Sequence, residues 1–130
     1  MTKKRCAVVG IGHRSHSWIP QVTQTYREQA ELVRQIAQFP GPVVCQSMLY
    51  SLLAGKPIPF ETAIVKQTAA SGVFDETPLV ERTNQGFFDA FVVMAGEIEL
   101  QLSPRMQEAI RLHYKPYPIH NSLYRMWVRQ

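Results

Sequence analysis

Residues able to do chemistry are few in this chain and scattered along it. His13 and His16 stand three apart, and Cys6, Cys45, His113 and His120 are the other thiols and imidazoles. A zinc centre needs about four convergent ligands. None of the paired spacings that mark such centres is present, so no metal site is expected. Cys45 closes a short apolar run, where a thiol behaves as a small buried hydrophobe, and the sequence pairs it with no base. No G-x-S-x-G elbow surrounds Ser15 or Ser47. Asp75 and Glu76 could serve as acid and base, but they precede Thr77-Pro78, where carboxylates favour a helix N-terminus. No position is therefore assigned a catalytic role. His113 reads as a partly buried, hydrogen-bonded histidine on a helix face. Tyr114, Tyr117, Tyr124 and Trp127 read mostly as core, with a binding patch as the alternative.

The elements that must position these groups alternate between apolar strands and helices. Residues 5–11 read as a short buried strand ended by glycines. A helix follows over about 21–38: Val22, Tyr26, Ala30, Val33 and Ala37 recur three or four apart, Pro20 suits its first turn, and Pro40-Gly41-Pro42 stops it. Residues 42–46 read as a second buried strand, then a short helix from Met48 to Ala54 ends at Gly55. Further helices are expected over about 61–71, 77–85 and 103–114. Thr77-Pro78 and Ser103-Pro104 each pair a capping hydroxyl with a proline that loses nothing at the first helical position. Residues 87–94 are apolar almost throughout, as a strand covered on both faces is. Residues 122–128 alternate at period two, the pattern of a half-buried edge strand. The expected fold is α/β: a small three-layer sandwich of about four mostly parallel strands with flanking helices. Residues 1–130 form one domain on this reading, and residues 1–25 either belong to it or are a loosely attached, unrelated segment.

Composition narrows the function classes. The chain has 130 residues, 45% hydrophobic and 18% charged. That is ordinary globular usage, with enough length for a packed core. No run of about 18 apolar residues is present, so no membrane span is expected. The net charge of +4 lies entirely in residues 1–34, and the remainder balances to zero. A nucleic-acid reader carries its basic stripe over a whole face; here a solvated basic start is the reading, and no nucleic acid is expected. The basic and apolar residues 3–12 lack the cleavage site of a signal peptide. An independently expressed chain would then be cytoplasmic.

Val8-Val9-Gly10-Ile11-Gly12-His13-Arg14-Ser15 lies between the first strand and helix, where a dinucleotide-binding turn belongs. The pattern is G-x-G-x-x-S. Residues about 4–33, with RCAVVGIGHRSHSW and TYREQAELV, resemble the opening of the Gfo/Idh/MocA oxidoreductases. That resemblance implies NAD or NADP, held at Gly10, Gly12 and Ser15. The chain then departs from the family. Arg34 to Phe39 supply no acidic residue for a ribose, no Glu-Lys-Pro motif follows, and no substrate domain fits. A tight structural turn is the alternative.

Residues about 26–130 resemble something larger. PGPVVCQSMLYSLLAGKPIPF, SGVFDETPLVERTNQGFFDAFVV and LSPRMQEAIRLHYKPY are similar to the soluble C-terminal domain of polytopic membrane glycosyltransferases of the dolichyl-phosphate-mannose protein mannosyltransferase type. Where that family has a Ser-Glu-Asp-like turn, this chain has Cys45-Gln46-Ser47. The resemblance implies an accessory domain without the chemistry, on the extracytoplasmic side. Its partners would be the membrane portion of a glycosyltransferase or that enzyme's acceptor. The expected function is a stabilising or partner-binding role; the alternative is a truncated NAD(P)-binding domain.

Overall fold

Strand β2, Ala90–Met94, holds the centre of the fold because its side chains are apolar at every position. Successive side chains of a strand point to opposite faces. Ala90 and Val92 therefore enter one apolar cluster, and Phe91 and Val93 enter the other. The computed structural model describes residues 12–96 and 101–130, with side chains described from residue 23. The strand expected at 5–11 and the first glycine of the turn, Gly10, lie outside the described residues.

In chain order, α1 (Gly12–Gln38) leads into β1 (Val43–Cys45), followed by α2 (Met48–Leu53), α3 (Thr62–Ala70) and α4 (Thr77–Asn84). After β2 come α5 (Pro104–His113), β3 (Tyr114–Tyr117) and β4 (Tyr124–Arg129). The sheet order is β1-β2-β4-β3. Leu32 and Ile36 of α1 lie on one face with Val43, Cys45, Val92 and Met126. Val80 of α4 and Met106, Ala109 and Ile110 of α5 lie on the other with Val44, Phe91 and Tyr114. Helices thus cover both faces of a mixed α/β sheet.

The expected mostly parallel pairing is corrected. β1 and β2 are parallel, whereas β2–β4 and β3–β4 are antiparallel. The missing piece was β3. The helical periodicity of α5 runs into Tyr114, and Pro116 argues against a strand in sequence. At a sheet edge a proline is tolerated. The short link between Tyr117 and Tyr124 then allows a hairpin, which needs no helical crossover. This hairpin puts β4 inside the sheet and not at its edge. Its period-two alternation reports partly uncovered faces, which are independent of edge pairing.

Two other boundaries differ. α1 begins at Gly12 and runs through Pro20, which lacks the N–H for one intrahelical bond but does not end the helix. Thr77 is the first residue of α4, not its cap. Its amide donates to Asp75 Oδ1 at 3.0 Å, and its hydroxyl accepts from Arg105 Nη1 at 3.1 Å. Ser103 does cap α5, accepting from the Met106 amide at 3.3 Å.

One buried carboxylate ties the strand entrances together. Asp89 is 5% exposed. Its Oδ2 accepts the Gly41 amide at 2.6 Å, and its Oδ1 pairs with Arg129 Nη2 at 3.0 Å. Arg129 Nη1 donates to the Gly86 carbonyl at 2.9 Å. The Asp89 amide donates to Pro42 O at 2.7 Å. Next to it, the Tyr114 hydroxyl donates to Phe88 O at 2.6 Å. A Cβ on Gly41 would lie 2.7 Å from Asp89 Oδ1.

Gly41→Ala is expected to cost about 1–3 kcal/mol by overpacking. The penalty should shrink to a few tenths in an Asp89→Ala background. Urea midpoints of the four proteins in this cycle test the coupling; a penalty unchanged by removing Asp89 would refute it. Burial pushes the Tyr114 phenol from 10.0 up to about 12. The native state then keeps a proton that the unfolded chain loses, so stability should fall as pH rises from about 10 to about 12. Tyr114→Phe should flatten most of that slope while costing about 1 kcal/mol at neutral pH. Denaturant melts across this window provide the measurement.

Candidate functional site

The parallel strands β1 and β2 finish side by side, and the antiparallel β4 starts at the same end. Ligand-binding groups of open α/β sheets gather at such carboxyl ends. Cys45, Gln46 and Ser47 occupy this end, and the first two have structural tasks. The Cys45 thiol is buried and hydrogen-bonded to Ser51, and burial raises its pKa. A thiol held protonated is a poor nucleophile. The Gln46 amide donates to Val92 O at 2.8 Å. Its side-chain Oε1 accepts the Met94 amide at 2.7 Å, adding one rung to the β1–β2 ladder. Ser47 precedes α2 in extended backbone and makes no side-chain cap bond.

α2 turns Tyr50 and Ser51 inward. The Tyr50 ring meets Tyr124 edge-on, with centroids 5.1 Å apart. The helix turns Met48, Leu49, Leu52 and Leu53 outward, the last two 62% and 61% exposed. Six residues with five large apolar side chains exceed what one buried face can take. That excess was the sequence signal for an exposed patch, and the expected helix was read without it.

The start of β4 is fastened to α1. Asn121 Oδ1 accepts the Leu123 and Tyr124 amides, each at 2.9 Å. Asn121 Nδ2 donates to Glu28 O and Gln29 Oε1, each at 3.3 Å. Glu28 Oε1 accepts the Ser122 amide at 2.9 Å and its hydroxyl at 2.7 Å. These bonds hold the Glu28 carboxyl below its ordinary pKa of 4.5. Nothing in sequence pairs residues so far apart.

The remaining candidates are dispersed. Gly12 opens α1 and Ser15 lies in its first turn. His113 ends α5 exposed, not partly buried, because the buried face passes to Tyr114. His120 is exposed on the β3–β4 link. Tyr114 and Tyr124 belong to opposite core clusters, Trp127 packs against the first, and Tyr117 is exposed. Among the described residues no group of three or more His, Cys, Asp or Glu could hold a metal ion. A groove of about 330 Å³ lies between α1 and the hairpin, lined by Gln35, Gln38, Phe39, Tyr117, Met126 and Val128. A second, of about 220 Å³, is walled by Pro42, Pro59, Phe60 and Phe88. On its rim the Arg82 guanidinium sits 4.9 Å over the Phe87 ring. Neither lining includes a carboxylate, thiol or imidazole.

In a Cys6→Ser protein, Cys45 should react with an aromatic disulfide reagent at least about a hundredfold more slowly in buffer than in urea. Fast reaction of the folded protein would show that the thiol is reachable after all.

No protein-family model matches the chain, and neither a characterised protein nor a solved structure matches it.

Proposed function

We propose that the chain is a non-catalytic accessory domain, similar to the soluble domain of a polytopic membrane glycosyltransferase. It stabilises such an enzyme or binds its acceptor or a partner. One observation carries the reading. At the strand ends the polar side chains Gln46, Ser51 and Asn121 are engaged in bonds within the domain, while the adjoining α2 presents four large apolar side chains outward. Among the described residues, an end so arranged offers a surface to dock on and no converging acid, base or nucleophile. Large exposed apolar patches mark interaction sites more often than chance exposure.

The alternative is a dinucleotide turn at Gly10, Gly12 and Ser15, which the resemblance of residues about 4–33 implies.

The coding DNA around this chain provides the first test: in-frame or neighbouring apolar segments are expected, and the chain should co-purify with their product from detergent extracts. The reading fails if no such segments exist, or if they exist and do not retain the chain. Trp18 provides a test of the alternative. Its fluorescence should stay unchanged on titration with NADH or NADPH to about millimolar, a weak-binding limit. A saturable change there would move the function to dinucleotide binding.

A further inference from the structure

We propose that the groove at the strand entrances binds a small aromatic carboxylate, a single planar ring carrying a short acid chain. The site lies apart from the α2 face and goes beyond the reading above.

The walls are stiff and apolar. Pro42 stands just before β1, and Pro57 and Pro59 come from the loop between α2 and α3. Proline has a fixed φ and no N–H, so these residues offer a rigid surface without backbone donors. Apart from Leu79, the other apolar lining residues are aromatic. The Phe88 ring meets Phe60 with centroids 5.7 Å apart and Phe87 at 5.2 Å, at interplanar angles of 70° and 88°. Phe88 is buried, and the Tyr114 hydroxyl holds its carbonyl. Phe87 is 46% exposed and can meet a further ring in the same edge-to-face geometry.

One charge lines this groove, the guanidinium of Arg82 on α4. It lies over the Phe87 ring, an arrangement that engages the planar group by its face and leaves the N–H fork to other partners. Among the described residues no carboxylate pairs with it. The positions three and four away in sequence are Pro78, Leu79, Gln85 and Gly86, none of them acidic. Asp89 and Glu61 adjoin Phe88 and Phe60, but Asp89 is engaged by Gly41 and Arg129, and Glu61 accepts the Ile64 amide at 2.7 Å. Glu81 adjoins Arg82 and lies outside the lining. A guanidinium without a counter-ion, beside an apolar cavity, recognises a carboxylate through two parallel N–H···O bonds.

Size and charge select the occupant. The groove holds about 220 Å³, below the roughly 300–1,000 Å³ of clefts that take drug-sized ligands. One ring with a short chain fits that space. A cation would be repelled by Arg82, a neutral ring would leave its fork unused, and a free phosphate would leave the aromatic walls without a partner. The larger groove beside α1 makes no such selection, since its polar lining, Gln35, Gln38 and Tyr117, is neutral.

Titration of the isotope-labelled whole chain with hydrocinnamate, followed by NMR of backbone amides and arginine side chains, tests the proposal. Saturable shifts are expected at Phe60, Phe87 and Arg82, with a dissociation constant at or below about 1 mM. Hydrocinnamide, the neutral isostere, should bind at least about tenfold more weakly, and so should acetate, which has the charge without the ring. Arg82→Gln should weaken the acid at least about tenfold and leave the amide within about twofold. Gln38→Ala, in the other groove, should change neither. The proposal is overturned if the acid binds more weakly than about 1 mM, if acid and amide bind the unaltered chain alike, or if the shifts centre on Gln35 and Phe39. The acid–amide comparison needs no variant, so the test stands even if Arg82→Gln fails to fold. None of these outcomes bears on co-purification with a membrane partner, which tests the accessory-domain reading separately.

Discussion

The Asp89 carboxylate is the point on which the rest of the architecture depends. It stands where the chain enters β2, and its two oxygens reach in different directions. One meets the Gly41 amide at the entrance to β1, and the other meets Arg129 at the exit of β4. A buried carboxylate is tolerable only with such partners, because an unpaired one carries a large desolvation cost. Arg129 passes the constraint on to the end of α4 through Gly86 O. Phe88 O, one residue away, passes it to β3 through the Tyr114 hydroxyl. All four strands and the end of one helix therefore share a small polar node. Replacing one partner alone would leave the others with unmet bonds.

Opposite this node, the other end of the sheet has a different character. Its polar groups also satisfy the backbone, through Gln46 beside β2 and Asn121 and Glu28 around the start of β4. Its surface, however, is apolar where α2 faces outward. The two ends divide the labour: one fixes register, and the other presents side chains that the domain itself does not bury.

Much of the fold was legible in the sequence because burial on two faces leaves an unbroken apolar run. Residues 90–94 declared themselves in that way, and Ser103-Pro104 declared the start of α5. Pairing was less legible. Pro116 hides β3, since only its position at the sheet edge makes a proline acceptable there. With β3 hidden, β4 looked like an edge. Thr77 looked like a cap because sequence cannot tell which of several neighbouring polar residues bonds the first helical amide; Asp75 does so. The candidate site was legible mainly as what it lacks at Cys45-Gln46-Ser47. The bond from Glu28 to Ser122 spans most of the chain and leaves no local pattern.

The hairpin has a further consequence for how the molecule comes together. β4 lies between β2 and β3, yet it is the last strand in chain order. During synthesis β2 emerges with β1 on one side and an unfilled edge on the other, and that edge belongs to a strand with five apolar side chains. Exposed strand edges template pairing with other chains. The sheet cannot close until residue 129 has cleared the ribosome, and the Asp89 side chain waits equally long for Arg129. Assembly is thus governed by its final strand, and a nascent chain stalled before Tyr124 would present an aggregation-prone half-sheet with a buried carboxylate missing its counter-ion.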